Sequence, residues 1–282
     1  MTRKELEQIR CERLKEISPI LLGKNNGKTF VLVCSSTGCE SGGSGDLFLE
    51  FKQIVEKNEK EEKIEIRKTG CFGLCGEGPI VVVYPKGVFY THVKKADVQE
   101  IFDKHLMGGE VVERLLATDA TGKKIETIME NRFYEKQTFI ARHQTGKIDP
   151  ESIEDYVAAN GYFAILDILE NKKPEDVVCE IKKSGLRGRG GAGFLTGLKW
   201  EIGAKNAAKK KFVVCNGDEG DPGAFMDRSI FEGNPHKIVE GLMIAGFATF
   251  AHFGVVYIRE EYPLAGKRIL KAIADAKKMG ML

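Results

Sequence analysis

Four of the seven cysteines in this 282-residue chain fall into two closely spaced pairs. Four residues separate Cys34 from Cys39, and three separate Cys71 from Cys75. Thiolate binds iron and zinc alike, and four cysteines hold a [2Fe–2S] unit, two per iron. Zinc favours tighter knuckles, often with two residues between ligands, although wider spacings occur. The spacing therefore favours iron–sulfur chemistry, with structural zinc or unrelated buried thiols as the alternatives. Gly38, Gly42, Gly43, Gly70, Gly73, Gly76 and Gly78 surround the pairs, so backbone N–H groups can approach sulfur and tune a reduction potential. Cys11 and Cys179 read as structural thiols on helices, and Cys215 has no His base near it in sequence.

A second constellation is the loop Gly188-Arg189-Gly190-Gly191-Ala192-Gly193. It fits G-x-G-x-x-G, but a helical segment precedes it where a dinucleotide fingerprint needs a strand, so an ordinary Rossmann reading is rejected. Five glycines from Gly185 to Gly193 still allow backbone amides to turn inward on an anion. Arg187, Arg189 and Lys199 add positive charge, and the helix that follows presents its N-terminus to the same phosphate. The alternative is a flexible basic loop. Further on, Cys215-Asn216-Gly217-Asp218-Glu219-Gly220-Asp221-Pro222-Gly223 closes a strand, where open α/β sheets collect ligands. Asn216 and these acids suit ring N–H groups and ribose hydroxyls better than Mg²⁺, which would want phosphate chemistry that the sequence does not display.

The elements that must position these residues follow from periodicity. Thr29–Cys34 is a β-branched run suited to a strand, and 46–57 is a helix capped by Asp46. Residues 63–68 alternate as a half-buried strand, and 80–84 with 88–92 form a hairpin across Pro85-Lys86-Gly87. A helix over 95–106 completes a β-α-β-β-β-α order, which fits a thioredoxin-like α/β sandwich. Two parallel neighbouring strands would bring both cysteine loops to one sheet edge. The expected organisation is residues 1–107 as this domain, 108–132 as a linker without clear periodicity, and 133–282 as a second domain. The second domain opens with helices over 150–159, 162–170 and 174–183, the last with Pro174 in its first turn. After the glycine loop come a helix, a strand over 211–215, and a buried helix running into a buried strand over 241–258.

Composition bounds the function classes. Net charge is +2 with both signs interspersed, so the chain lacks the basic field that nucleic-acid binding requires. The charged amphipathic N-terminus has no apolar signal-peptide core, and His252 and Gly254 interrupt the longest apolar stretch. A cytoplasmic protein without membrane insertion is expected. Seven cysteines in that setting point to metal or redox use rather than disulfides.

The run CSSTGCESGGSGDL followed by KTGCFGLCGEGPIVVVYP resembles the thioredoxin-like [2Fe–2S] ferredoxins, from about Lys28 to Leu106. The same modules occur in complex I and in flavin-containing hydrogenase subunits. From about Phe133 to Met281, SGLRGRGGAGFLTGLKW and VVCNGDEGDPGAFMDRSIFEGNPHKIVEGLMIAGFA resemble the FMN domain of the NADH-oxidising flavoprotein family. That family includes the complex I FMN subunit and the β subunits of NAD(P)-linked and electron-bifurcating [FeFe] hydrogenases. The fused [2Fe–2S] module favours the hydrogenase branch. The fold class implied is α/β, a thioredoxin-like [2Fe–2S] domain followed by the N-terminal part of an α/β FMN-binding domain.

The resemblance also implies roles. Cys34, Cys39, Cys71 and Cys75 would hold the cluster. Gly188, Arg189, Gly190, Gly191, Gly193 and Lys199 would line the FMN phosphate and ribityl chain, and Phe194 would stack on the nicotinamide side. Asn216, Asp218 and Glu219 would meet the flavin and its ribityl hydroxyls. Asp221 stands where the complex I branch has a glutamate bordering the NADH pocket, and Glu260 stands where a glycine is expected. The implied reaction moves hydride from NAD(P)H to FMN and single electrons on to iron–sulfur clusters, with no catalytic acid–base pair. Expected partners are a hydrogenase catalytic subunit, a small [2Fe–2S] subunit and ferredoxin. A later Gly-Glu-Glu segment, a ubiquitin-like domain and a [4Fe–4S] domain do not occur before Leu282, so the chain reads as a fragment or half of a split gene. Alone it is expected to hold the [2Fe–2S] cluster and to bind FMN weakly or not at all. The competing readings are a non-enzymatic [2Fe–2S] electron carrier or docking subunit and a zinc-stabilised interaction protein.

Overall fold

Strand β1 (Thr29–Cys34) is apolar at every position but its first, because both faces of the sheet it centres are covered. The computed structural model describes every residue except Ala120 and Pro222, so Pro222 of the acidic loop lies outside the described residues. Strand β1 pairs in parallel with β2 (Ile64–Thr69) and antiparallel with β3 (Val81–Tyr84), which turns into β4 (Val88–Tyr90). The sheet order is β2-β1-β3-β4. Val31, Val33, Ile64, Ile66, Val81 and Val83 face one layer, filled by Leu47, Phe51 and Ile54 of helix α3 (Ser44–Lys57). Phe30, Leu32, Val82 and Phe89 face the other, with Ile17 and Ile20 of helix α1 (Arg3–Leu21). Helix α1 kinks at Ile17, two residues before Pro19, which lacks an amide donor.

Local chemistry moves several expected boundaries. Helix α3 starts at Ser44, two residues before Asp46, because Gly43 adopts a left-handed φ of 93° that turns the chain into the helix. Asp46 is therefore a first-turn residue rather than the cap. The expected helix over 95–106 is a 3₁₀ turn (Lys95–Asp97), a single α-turn, α4 (Val98–Glu100), and a π-helical stretch (Ile101–Met107). Parts of the expected linker, 108–132, are packed against the sheet. Leu115, Leu116, Ala117 and Ile125 are buried, and Phe89 and Thr91 donate their N–H groups to Glu126 and Leu115. Two short strands, β5 (Ala117–Thr118) and β6 (Lys124–Ile125), pair within this stretch, and α5 (Arg132–Glu135) follows.

The chain resolves into two compact units. One comprises Ile9–Ala159 with Glu232–Asn234; the other comprises Met1–Gln8, Asn160–Phe231 and Pro235–Leu282. Helix α6 (Ile153–Ala158) closes the long first stretch. Its Asp155 is wholly buried and takes the guanidinium groups of Arg13 at 2.7 Å and of Arg67, tying α1, β2 and α6 into one ionic knot.

In the other unit, α7 (Phe163–Asn171) is followed by α8 (Pro174–Lys183) and α9 (Thr196–Lys205), which pack closely. A Cβ on Gly197 would lie 2.5 Å from the Lys182 amide nitrogen, so α9 needs glycine at that approach. Strand β7 (Phe212–Gly217) runs parallel to β8 (Phe253–Ile258), joined through α10 (Met226–Gly233) and α11 (Pro235–Thr249). Helix α12 (Pro263–Lys278) packs on α11. The expectation of a buried strand at the end of 241–258 is corrected. Phe212 and Val214 of β7 are exposed, as are Phe253, Val255 and Tyr257 of β8, the last at 57%. Helix α11 packs against both strands, and one apolar face of the pair stays open.

Candidate cluster and flavin sites

Parallel pairing sets Cys34 opposite Thr69, two residues before Cys71, so both cysteine loops leave the sheet at one edge. Ser35 binds the loops together, donating from its amide and its hydroxyl to the Thr69 carbonyl at 2.9 and 3.0 Å. The short helix α2 (Thr37–Ser41) then carries Cys39 back toward Cys34. Cys34, Cys39, Cys71 and Cys75 all line one small pocket with Ser36, Gly38, Phe72, Gly73, Leu74 and Ile80. Three of the four cysteines are buried, and Cys75 alone of them is exposed.

The thiols interact two by two. Cys34 is held well above the usual thiol range by its hydrogen bond to Cys39 and by burial. Cys39, on the receiving side of that bond, is lowered. Cys71 is raised by its bond to Cys75 and by burial. Cys34 and Cys71 resist ionising unaided, and iron cations in place of their protons would remove that resistance, so the set suits a thiolate-held group.

Glycine and backbone geometry fit the same group. The Gly73 amide donates to Cys71 Sγ at 3.2 Å. A Cβ on Gly78 would sit 3.0 Å from Cys39 Sγ, and one on Gly38 would sit 3.3 Å from Cys75 Sγ. The Ser36 hydroxyl, lining this pocket, is buried without a partner among the described residues, and an inorganic sulfide is a chemically suitable acceptor for it. Among the described residues, no three His, Cys, Asp or Glu side chains are arranged to hold a single metal ion.

Supporting contacts reach this pocket from residues that the sequence reading did not single out. Arg142 donates from Nη2 to the Cys71 carbonyl at 2.9 Å, and the Tyr134 hydroxyl donates to the Phe72 carbonyl. Glu232 accepts from the amide and hydroxyl of Thr37, at 3.0 and 2.5 Å. Nothing local in the sequence marks these contacts, since the partners of the last lie 195 residues apart.

The glycine loop is a hairpin-like turn leading into α9. The Gly188 amide donates to the Phe194 carbonyl at 2.9 Å, and Arg187 Nη1 donates to the Gly193 carbonyl at 2.9 Å. Gly191 and Gly193 take left-handed φ values of 100° and 62°. A Cβ at Gly190, Gly191 or Gly193 would meet no protein atom within 4 Å, so the loop borders open space. Arg189, Phe194 and Lys199 are exposed beside it, and α9 begins without a side-chain cap.

The acidic loop follows β7. Asn216, Asp218 and Asp221 are exposed, and Asn216 Oδ1 accepts the Asp218 amide at 3.0 Å. Glu219 is different. It is buried and accepts the amides of Met226 and Arg228 at 2.5 and 3.3 Å, so its carboxylate caps α10. Burial raises the Cys215 thiol, as does the nearby Asp227, which keeps it from being a ready nucleophile. Glu260 is exposed past the end of β8, and nothing in the structure explains its presence there. Among the described residues, no hydrogen bond joins the glycine loop to the acidic loop.

Residues 21–106 match the family model of the thioredoxin-like [2Fe–2S] ferredoxin, and residues 181–281 match that of the Nuo51 FMN-binding domain. The chain joins a thioredoxin-like [2Fe–2S] ferredoxin domain to a Nuo51-type FMN-binding domain. Within these matches fall all four paired cysteines, in the first, and both the glycine loop and the acidic loop, in the second. The HndC subunit of the NADP-reducing hydrogenase of Solidesulfovibrio fructosivorans is 55% identical over 147 residues, 52% of this chain and 30% of that one. The F 2 subunit of the NADH-quinone oxidoreductase of Rhizobium meliloti (strain 1021) is 46% identical over 134 residues, 48% of this chain and 32% of that one. Among solved structures, the thioredoxin-like [2Fe–2S] ferredoxin from Aquifex aeolicus is 39% identical. That match covers 33% of this chain and 98% of the ferredoxin, with a TM-score of 0.31. The chain thus spans about a third of the length of the two curated relatives. Among the described residues, no helix is long and apolar enough to cross a membrane.

Proposed function

We propose that this chain belongs to an NAD(P)H-oxidising flavoprotein component of a hydrogenase or NADH dehydrogenase assembly. The observation that carries the reading is the convergence of Cys34, Cys39, Cys71 and Cys75 on one pocket at a shared sheet edge. These four hold a [2Fe–2S] cluster, and Cys75 presents it to the surface. The exposed loop with Gly188, Gly190, Gly191 and Gly193 receives the FMN phosphate, aided by Arg189, Lys199 and the uncapped start of α9. Phe194 offers an exposed ring for stacking, and Asn216 and Asp218 offer polar groups to the flavin and ribityl chain. Asp221 borders the nicotinamide nucleotide. Glu219 acts indirectly, holding the start of α10 beneath the acidic loop. Bound FMN would accept hydride and release electrons one at a time, while the protein supplies position and electrostatics. Subunits of the kinds named among the relatives support a hydrogenase catalytic subunit as partner, and ferredoxin is a candidate redox partner of suitable chemistry.

A second reading, a [2Fe–2S] electron carrier or docking subunit, is favoured by one observation. The cysteine loops are tied to each other, whereas among the described residues no hydrogen bond ties the glycine loop to the acidic loop. An absorbance spectrum with iron, sulfide, zinc and flavin assays on the purified chain separates the readings. Iron, sulfide and flavin support the oxidoreductase, iron and sulfide alone support the carrier, and zinc in their place refutes both.

A further inference from the structure

Two charged side chains outside the cysteine pairs flank the two cysteine loops. Glu232, 0% exposed, grips Thr37 through both its amide and its hydroxyl, inside the loop that carries Cys34 and Cys39. Arg142 grips the other loop at the Cys71 carbonyl. Its guanidinium also fills the space beside Gly73, where a Cβ would lie 2.9 Å from Nη2. One carboxylate thus anchors the loop that carries Cys34 and Cys39, and one guanidinium anchors the loop that carries Cys71. Charges shielded from water interact more strongly than exposed ones. Iron–sulfur potentials respond to net charge, hydrogen bonding and burial around the sulfurs.

We propose that Glu232 and Arg142 are opposed positioning residues that set the reduction potential of the cluster held by Cys34, Cys39, Cys71 and Cys75. The proposal rests on the [2Fe–2S] reading above. One-electron reduction adds one negative charge at the centre. The Glu232 carboxylate opposes that added charge and lowers the potential; the Arg142 guanidinium attracts it and raises the potential. Each residue also braces its loop, and a purely structural role would alter loading or stability without moving the midpoint in a sign that follows the charge.

The test is a dithionite titration of the full chain, anaerobic and monitored by electron paramagnetic resonance, with each electron the cluster gains supplied by oxidation of the dithionite. Glu232→Gln should shift the midpoint to a more positive value and Arg142→Gln to a more negative one. Glu232→Asp and Arg142→Lys, which keep the charge, should return it toward wild type. A neutral variant that loads iron and sulfide fully yet keeps the wild-type midpoint, or shifts with the opposite sign, overturns the proposal. Should Glu232→Gln not fold, the Arg142→Gln shift decides it alone. A wild-type chain without iron and sulfide overturns the cluster reading and the proposal with it, a result distinct from a loaded cluster with an unmoved midpoint.

Discussion

Gly70 and Gly233 meet backbone to backbone: a Cβ on Gly70 would lie 2.5 Å from the Gly233 Cα. Gly70 immediately precedes Cys71, so this contact fixes where the second cysteine loop begins. Thr145 closes the same spot, with its Cγ2 3.0 Å from that Cβ position. Gly70→Ala should therefore destabilise the fold by about 1–3 kcal/mol, the usual cost of overpacking. Thermal unfolding measures it, and an unchanged melting temperature would show that the loop relaxes without cost.

Each of Cys34, Cys39, Cys71 and Cys75 changed to Ala should reduce retained iron at least about tenfold, since outer partners of metal sites alone carry about 10–100-fold in affinity. Cys11→Ser and Cys179→Ser should leave iron content unchanged. Colorimetric iron and sulfide analysis reads both sets.

Buried His236 accepts or shares a hydrogen bond with the Tyr162 hydroxyl at 2.9 Å, and burial pushes its pKa down to about 4. The unfolded imidazole titrates near 6.5, so between the two values the unfolded chain binds the extra proton. Stability is then full above about pH 6.5 and falls as pH drops toward 4, by roughly 3 kcal/mol from this group. Melting temperature measured against pH should show that slope in wild type and a shallower one in His236→Asn.

Asp155→Ala removes the acceptor shared by Arg13 and Arg67 and leaves the buried Arg67 guanidinium with Glu65 in place of two carboxylates. The loss should be about 3–5 kcal/mol. Urea denaturation with an unchanged slope and a lowered midpoint would register it.

Arg189→Ala should weaken FMN binding about tenfold, the size of one lost charge-assisted hydrogen bond. Gly191→Ala should weaken it as well, because φ of 100° is hostile to a side chain. Quenching of flavin fluorescence on titrating FMN into the protein reads both, and wild-type affinity in Arg189→Ala would remove this arginine from the phosphate site.

What the sequence made legible was what short-range pattern encodes. Strand β1 lies where its apolar run places it, and the parallel β1–β2 pair brings the cysteine loops to one edge as their positions imply. Residues 108–132 were illegible because they attach to β4 by single bridges and lone amides, which leave no period. Strand β8 read as buried because its composition is apolar, yet cover on one face is a tertiary fact. The inward turn of Glu219, between exposed Asp218 and Gly220, needed the start of α10 to be seen. Glu232 could not be paired with Thr37 by any local rule, since the bond joins distant parts of the chain.

The three residues Glu232–Asn234 belong by their packing to the unit that otherwise closes at Ala159. A ribosome makes most of that unit early but does not finish it early. Glu232 cannot reach Thr37, nor Gly233 reach Gly70, until more than seventy further residues have been made after Ala159. The cysteine loops, already tied by Ser35 and Arg142, thus complete their native bracing only after α10 has left the ribosome. Cluster insertion into fully braced loops becomes an event that follows the synthesis of α10, rather than one that the nascent ferredoxin domain completes by itself.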